Sequence, residues 1–262
     1  MGLLETLPDR REVHVWFVEL AARTASVEAC WRSLSPDEGE RASRLGSERL
    51  RTAFTLSRGI LRVLLGRYLA TEPNCIRFAY GPRGKPRLSL PETPLEFNLA
   101  HSGKFVTFAF AVGCQLGVDI EEVRPIPDQE DLVRRMFSRE ECEEWLSLDL
   151  SQRNVAFFRC WTRKEAYIKA LGDGLSAPLD SFRVSFMPGV PASLIEAAGD
   201  LDAGTKWSLR SLAPVAGYVG ALASPERRRT VRTLPPLTAD AALELARGPD
   251  PFPPARSHTV GR

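Results

Sequence analysis

Lysine is scarce in this sequence of 262 residues, because its 35 basic side chains comprise only five lysines and thirty arginines. Such a bias is typical of codon composition, so arginine is the default cation here and each retained lysine is informative. The net charge is only +2. A dedicated nucleic-acid-binding protein usually has a strongly basic face, so we expect no nucleic-acid partner. The lysines are Lys85, Lys104, Lys164, Lys169 and Lys206.

Cysteines are also few, and long apolar runs are lacking. The five cysteines form neither a C-x-x-C pair nor a zinc-ligand spacing, which predicts free thiols in a reducing compartment. No apolar run reaches the roughly 18 to 20 residues of a membrane span, and the N-terminus lacks the layout of a signal peptide. We therefore expect a cytoplasmic protein that does not bind a membrane. A hydrophobic content of 44% excludes a disordered or collagen-like chain.

The order of the predicted elements repeats along the chain. Each half carries an alternating segment typical of a strand, then a helix start, a long helix and three further strands. An offset of 103 residues pairs the helix start at Ser35 with that at Ser138, and it also pairs Phe54 with Phe157. A constant offset over several elements predicts a duplicated α+β fold, in which two similar α+β halves pack as an intramolecular pseudo-dimer. We accordingly expect a monomer.

The predicted boundary between the halves lies near residue 114, so that residues 1–114 form the first half and residues 115–224 the second. Residues 225–262 differ in composition, since they hold seven of the twenty prolines and the basic run Arg227-Arg228-Arg229. We predict one short helix there, from Thr238 to Arg247 and capped by Gly248. The rest is expected to be a mobile tail whose basic run is a solvated charge cluster.

Two carboxylates alternate on the predicted strand Gly117-Val118-Asp119-Ile120-Glu121. Because side chains alternate along a strand, Asp119 and Glu121 project from one face. Such a pair repels unless a cation lies between the two groups, and a hard divalent ion with oxygen ligands, most simply Mg²⁺, satisfies both. The alternative is an exposed edge strand whose acids face water.

The segment from Trp161 to Lys169 (WTRKEAYIK) is predicted to be helical. Glu165 and Lys169 are four residues apart, which makes them neighbours on one helix face. They form either an ordinary surface ion pair, worth about 0.3 to 0.5 kcal/mol, or a third carboxylate and a cation directed at one anionic substrate.

Two turn motifs complete the candidate site. His101 follows a predicted strand beside Ser102 and Gly103, where it is either a structural turn residue or a contact to an anion. The turn Arg83-Gly84-Lys85-Pro86 brings a lysine and a fixed backbone to one place. Taken alone, this turn is simply a loop.

In combination these motifs are far more specific than any one of them. GKP, N-x-x-H-S, G-x-D-x-E and W-x-x-K-E-x-x-x-K follow one another in this order. The sequence resembles the 4′-phosphopantetheinyl transferases, and in particular their larger single-chain, surfactin-synthetase-activating type. The resemblance extends from about Val13 to Ala223 and includes the duplication.

The resemblance implies a holo-carrier-protein synthase. Such an enzyme moves the phosphopantetheine arm of coenzyme A onto a serine of an apo acyl or peptidyl carrier protein and releases 3′,5′-ADP. It thereby activates fatty-acid, polyketide or non-ribosomal peptide synthesis. By the matching motifs, Asp119, Glu121 and Glu165 hold Mg²⁺ against the coenzyme A pyrophosphate. Glu165 is the candidate general base, either directly or through a metal-bound water, and Lys169 binds the pyrophosphate and stabilises the departing ADP.

The resemblance also implies a set of coenzyme A contacts. Lys85 lines the adenine site, while His101 and Arg58 bind the 3′-phosphate; Arg41 and Arg44 are less secure matches. Many relatives carry serine where this chain has Ala100, so one phosphate hydrogen bond is either missing or supplied by Ser102. The full set of implied contacts is Arg41, Arg58, Lys85, His101, Ser102, Asp119 and Lys169.

The segment Arg124 to Met136 lies where the family tends to recruit its carrier. It offers Arg134, Arg135, Met136 and Phe137 to an acidic, amphipathic carrier helix. Two rival functions use the same residues: a protein that only binds coenzyme A or a carrier, and a metal-dependent phosphohydrolase acting on coenzyme A or a nucleotide.

Overall fold

The structure is a computed structural model and describes residues 7–81, 84–172, 178–197, 200, 202–225 and 229–248. The predicted α+β class is confirmed. The first half contains β1 (Glu12–Glu19), α1 (Thr24–Ser33), α2 (Pro36–Ser43), α3 (Glu48–Leu69), β2 (Arg77–Tyr80), β3 (Pro86–Leu90), β4 (Leu95–Ser102) and β5 (Phe105–Val112). All five cysteines are free thiols, as predicted. Within the described ranges, no helix is both long and apolar enough to cross a membrane.

The second half continues with a similar series of elements. They are β6 (Gly117–Glu122), α4 (Gln129–Met136), α5 (Arg139–Leu146), α6 (Leu150–Leu171), β7 (Phe182–Val184), β8 (Leu194–Ala197), α7 (Ala203–Lys206), β9 (Trp207–Leu212) and β10 (Tyr218–Pro225). The chain then adds β11 (Thr230–Thr233), β12 (Leu237–Thr238) and α8 (Ala239–Arg247).

The two halves repeat one strand order. The first sheet contains the run β1-β5-β4 and the second is β6-β10-β9, with every neighbouring pair in these runs antiparallel. The offset of 103 residues superposes α2 on α5 in sequence, and each helix begins with a serine amide bonded to a glutamate three residues on, Ser35 to Glu38 and Ser138 to Glu141. The duplication predicted from the sequence is therefore present in the fold.

Three apolar cores follow from the alternation of side chains along the strands. Trp16 and Phe108 face α3 in the first core, whereas Val15 and Ala109 face the other half of the molecule. A second core lies between α6 and its sheet, and the third core, between the halves, is completed by β6 side chains such as Val118. This stacking places β4 beside β6.

The C-terminal segment is part of the first half. β11 and β12 both pair in parallel with β1, with Thr230 opposite Glu12 and Leu237 opposite Val18. The predicted helix is confirmed, because α8 begins after Thr238 and ends at Gly248. The predicted mobility was wrong for residues 229–238, since these residues cover what would otherwise be an exposed edge of the sheet.

The basic run Arg227-Arg228-Arg229 was predicted to be a solvated charge cluster, and the structure tests this prediction only at the last residue. Arg227 and Arg228 lie outside the described residues. Arg229 is buried and donates to the Val112 carbonyl, so for this residue the prediction of a solvated charge was wrong.

Candidate active site

A glycine lets α6 lie directly on β6. A Cβ atom on Gly117 would come within 2.0 Å of the Ala166 carbonyl oxygen and 2.4 Å of the Ala170 amide nitrogen. Any other residue would push the helix away from the strand. The close approach brings Glu165 and Lys169 of α6 over the carboxylate face of β6.

Asp119 and Lys169 meet at this junction. The Lys169 Nζ donates to Asp119 Oδ1 over 2.6 Å, and the other carboxylate oxygen, Oδ2, is buried without a hydrogen-bond partner among the described residues. Burial raises the pKa of Asp119 to about 7, although Lys169 opposes the shift. A β6 carboxylate and the helix cation are therefore in direct contact, a pairing that the sequence analysis did not predict.

Glu165 adds a second buried carboxylate. Its Oε1 is also buried without a hydrogen-bond partner in the part of the chain that the structure describes. Burial raises the pKa of Glu165, Lys169 lowers it, and the charge of Glu121 raises it further. Three acids thus face two cations, Lys169 and the Arg124 guanidinium that lies 3.5 Å from Glu121 Oε2, which leaves an excess of negative charge that a further cation would neutralise.

Glu121 is held by the first half. Ser102 Oγ donates to Glu121 Oε2 over 2.6 Å and accepts from the Glu122 amide. This differs from the predicted role of Ser102 as a coenzyme A contact, because its only proton is engaged by a carboxylate. Ser102 is better described as a residue that positions Glu121.

The three acids do not converge on one point in this structure. Across the described residues, no group of three or more His, Cys, Asp or Glu side chains is arranged to hold a metal ion. The Lys169 ammonium lies beside Asp119, where a metal cation bound by this carboxylate would also lie. The donor set still fits a hard divalent ion, because both orphaned atoms are carboxylate oxygens.

Lys85 reaches the same junction from the first half. Its ammonium donates to the backbone carbonyls of Leu116 and Lys169. A cavity of about 220 Å³ opens beside it, bordered by Asn98, Leu99 and Lys169. Burial lowers the pKa of Lys85, and Glu96 opposes this shift. Lys85 and Lys169, both expected to contact coenzyme A, therefore lie at one junction, whereas Arg83 lies outside the described residues.

The other predicted cations lie apart from this junction. His101 is exposed at the end of β4. Arg58 and Arg41 flank the ring of Phe54, at 6.0 and 5.4 Å from its centroid. Neither arginine contacts the acids around Asp119 directly.

Arg58 is itself buried and paired. Its Nε lies 3.3 Å from Glu38 Oε1, and the same carboxylate accepts from Arg62 over 2.6 Å. One carboxylate therefore faces two guanidinium groups, which leaves one positive charge in excess. Arg44, one of the two less secure matches, follows the last residue of α2, is exposed, and pairs with Glu40 of that helix.

Comparisons with known proteins decide the family. The profile of the 4′-phosphopantetheinyl transferase superfamily matches residues 115–223. The chain is similar to the 4′-phosphopantetheinyl transferase HetI of Nostoc sp., with 40% identity over 214 residues that cover 81% of this chain and 87% of the relative. The chain belongs to the 4′-phosphopantetheinyl transferase superfamily. It is an enzyme that transfers phosphopantetheine to carrier proteins.

A second relative supports the assignment over a shorter span. The 4′-phosphopantetheinyl transferase Sfp of Bacillus subtilis is 34% identical over 152 residues, which cover 58% of this chain and 66% of that protein. Among solved structures, the holo-[acyl-carrier-protein] synthase of Thermotoga maritima is similar with a TM-score of 0.34 and 22% identity, over 44% of this chain and 64% of that one. That likeness is too slight to add to the assignment.

Ala100 of the transferase points into the core between the halves. It is 5% exposed and lies opposite Thr107 of β5, whose hydroxyl is buried without a partner among the described residues. A serine at position 100 would therefore face Thr107. The geometry therefore gives no reason to expect that alanine instead of serine at this position removes a phosphate contact.

The sequence analysis missed one cavity of the transferase. It measures about 520 Å³ and lies where the β4–β5 turn meets the start of α3, between Arg49, Thr52, Gly103 and Lys104. Its two cations could not be paired from the sequence, because they lie 55 positions apart. Only Lys104 could have been singled out from the sequence, because it is one of the few lysines retained in an arginine-rich chain.

The surface expected to recruit the carrier is only partly available. Arg134 and Arg135 are exposed on α4, and Arg134 bonds Glu130 one turn earlier. Phe137 is 2% exposed and stacks on Phe157 inside the second core. The expectation that Phe137 contacts a carrier was wrong, because it holds α4 to α6.

Replacing Asp119 by asparagine is expected to stabilise the metal-free transferase at pH 8. The folded-state pKa of about 7 exceeds the unfolded value of about 3.9, so the folded state binds the extra proton and stability falls as pH rises through this window. Asparagine removes a cost on the order of a few kcal/mol, or about 5 to 10 °C in melting temperature. Thermal unfolding in EDTA at pH 4 and pH 8 measures the gain, which should vanish at pH 4.

The matched control for this prediction is Asp200→Asn. Asp200 is solvent-exposed, and its pKa is lowered chiefly by its hydrogen bond to Lys206. Its replacement should give no gain at either pH. A variant of Asp119 that melts below the wild type at pH 8 would contradict the account.

Proposed function

We propose that this transferase takes phosphopantetheine from coenzyme A and attaches it to the serine hydroxyl of an apo carrier protein, with release of 3′,5′-ADP. One observation carries the proposal. Asp119 and Glu165 both lie near the Lys169 ammonium at the β6–α6 contact, and each carries a buried carboxylate oxygen without a partner among the described residues. Such a site is suited to a cation and a polyanion together.

We further propose that Asp119, Glu121 and Glu165 hold Mg²⁺. Oxygen donors of this kind suit Mg²⁺, which is bound through one or two carboxylates plus substrate phosphates. When bound, the ion would neutralise the pyrophosphate oxygens and orient them for in-line attack. Ser102 keeps Glu121 in place through its hydrogen bond, so the first half contributes to the ligand set indirectly.

Glu165 is the general base in this proposal. Its raised pKa makes the carboxylate a better proton acceptor than an exposed glutamate. As it takes the serine proton, the serine oxygen forms a bond to the phosphopantetheine phosphorus, and the bond from that phosphorus to the oxygen of the adenosine bisphosphate breaks. The ammonium of Lys169 faces the charge that develops on the leaving group.

The first half supplies the cations for the nucleotide end of coenzyme A. Lys85 lines the cavity beside Lys169 and would contact the adenine end, while His101, Arg58 and Arg41 would bind the 3′-phosphate. The surplus positive charge around Glu38 supports the role of Arg58. We propose that a single chain in the cytoplasm is sufficient, because the two halves already face each other within one molecule.

Reversing charge on α4 is expected to weaken carrier recognition. The double variant Arg134→Glu/Arg135→Glu should raise the KM for an acidic carrier about tenfold or more, because exposed charges steer encounter. The KM for coenzyme A should stay within about twofold. Arg139→Glu, which alters an exposed arginine of α5, is the matched control, and unchanged carrier kinetics in the double variant would refute this docking surface.

One assay separates the proposed reaction from its rivals. The protein is incubated with coenzyme A, Mg²⁺ and a panel of apo fatty-acid, polyketide and peptide-synthetase carriers, and each carrier is weighed by mass spectrometry. Transfer adds the phosphopantetheine mass to the carrier. Release of 3′,5′-ADP without a carrier would indicate a phosphohydrolase, and neither product would indicate a protein that only binds coenzyme A.

A further inference from the structure

A second basic cavity lies under the middle of α6. It measures about 330 Å³ and is bordered by α6, by the loop between β7 and β8, and by the facing ends of β9 and β10. This volume is at the lower end of the range for small-molecule pockets. None of Asp119, Glu121, Glu165 and Lys169 lines it, so it is distinct from the candidate active site.

Two arginines of α6 define this cavity. Arg159 and Arg163 are one helical turn apart, and both line it. Like charges at this spacing destabilise a helix unless something compensates them. Neither arginine forms an ion pair with any described residue, and no carboxylate lines the cavity.

Arg163 is the more deeply placed of the two. It is 4% exposed, and its guanidinium donates to the Ser185 carbonyl and to Ser211 Oγ, the latter over 2.9 Å. Both acceptors are neutral, so the charge itself is uncompensated. Burial lowers the pKa of Arg163 to about 10, and the neighbouring Arg159 adds to the effect. The group thus remains charged at neutral pH in surroundings that disfavour the charge.

We infer that Arg159 and Arg163 form a binding site for a phosphate-type oxyanion. A dianion matches the two positive charges, and the planar guanidinium fork suits the tetrahedral oxygens of phosphate. The cavity lies one strand away from the catalytic acids, since Val219, which lines it, pairs with Glu121 across the sheet. Inorganic phosphate and the phosphates of released 3′,5′-ADP share this chemistry.

The direct test follows the arginine Nε–H resonances by NMR during titration at constant ionic strength. One arm uses inorganic phosphate, another uses 3′,5′-ADP, and sodium chloride is the reference. Arg159→Gln and Arg163→Gln assign the two resonances. We expect both to shift along a saturating curve, and the arm that saturates at the lower concentration identifies the source.

Variants of the cavity sharpen the test. Arg159→Gln should weaken phosphate binding at least tenfold, whereas Arg139→Gln on α5 should not. Val190 is 46% exposed at the rim of the cavity. A carboxylate introduced at this position would act as an internal counter-ion for the two arginines. Val190→Glu should raise the melting temperature in phosphate-free buffer and abolish the phosphate response, while Val190→Gln should do neither.

The outcomes are separable from those of the catalytic proposal. Arg159→Gln should transfer phosphopantetheine at the wild-type rate in phosphate-free buffer, because the cavity contains no residue of the candidate active site. The inference is overturned if the Arg159 and Arg163 resonances drift with phosphate and 3′,5′-ADP only as they do with chloride. It is also overturned if Val190→Glu and Val190→Gln behave alike.

Discussion

Replacing Lys164 by methionine is expected to lower the free energy of unfolding by about 3 to 5 kcal/mol, as breaking a buried ion pair does. For a chain of this size the melting temperature should fall by about 10 °C or more. Lys164 and Glu141 are both fully buried, with 2.7 Å between Nζ and Oε2. Methionine would leave the Glu141 carboxylate without its cation inside the second core.

The surroundings of Lys164 also require an ammonium group. Besides Glu141, its Nζ donates to the carbonyl oxygens of Leu179 and Phe182, over 2.7 and 2.6 Å. Three acceptors around one nitrogen match the three donors of an ammonium. The larger guanidinium of Lys164→Arg would overfill this position, so we expect a loss of about 1 to 3 kcal/mol even for this conservative change.

Thermal and urea unfolding monitored by circular dichroism measure both effects. Lys206→Met is the matched control, because Lys206 and Asp200 form an ion pair of similar length, 2.8 Å, that is largely exposed. Exposed pairs contribute little to stability because solvent screens them, so the control should change little. Equal losses in the two methionine variants would show that burial does not set the contribution of Lys164.

The same arrangement occurs in the first half with an arginine. Arg62 pairs with Glu38 and donates to the carbonyls of Pro73 and Ile76. Each half therefore joins its short helix, its long helix and the following loop through one buried cation. The sequence predicts the duplicated order of elements, but it does not reveal this cation, because Lys164 reads as part of a catalytic motif rather than as a core residue.

The acids proposed to hold the metal illustrate what sequence can predict. The alternation of Asp119 and Glu121 places them on one strand face, and the four-residue spacing places Glu165 beside Lys169 on one helix face. Both predictions rest on local geometry, and both agree with the structure. The contact between strand and helix depends on Gly117, whose role appears only when α6 is seen on β6.

Features that depend on distant parts of the chain could not be predicted. Ser102 was expected to face a phosphate, yet it bonds Glu121, because β4 and β6 lie side by side only in the folded pseudo-dimer. The C-terminal strands likewise pair with β1, more than 200 positions earlier. Composition marked that segment as different but carried no information about its partner.

Replacing Glu165 by glutamine is expected to reduce transfer by at least about 10² to 10⁴-fold, the range typical of a lost general base. Glutamine has the same shape but neither accepts the serine proton nor supplies a full negative charge to a metal. Folding should be unaffected. The Oε1 of Glu165 has no hydrogen-bond partner among the described residues, and burial already disfavours the charge that is removed.

Three measurements on this variant separate its proposed roles. Mass spectrometry of the apo carrier gives the rate, unfolding in EDTA gives the stability, and titration of Mg²⁺ gives the affinity for the ion. In the wild type, the rate should rise with pH through a pKa above the ordinary value for glutamate, because only the deprotonated carboxylate accepts a proton; this rise should be lost in the variant. Glu143→Gln, an exposed change on α5, should leave rate, pH profile and stability as they are. Transfer at the wild-type rate by Glu165→Gln would refute the assignment of this carboxylate to the reaction, because its burial beside Lys169 would then have no catalytic consequence.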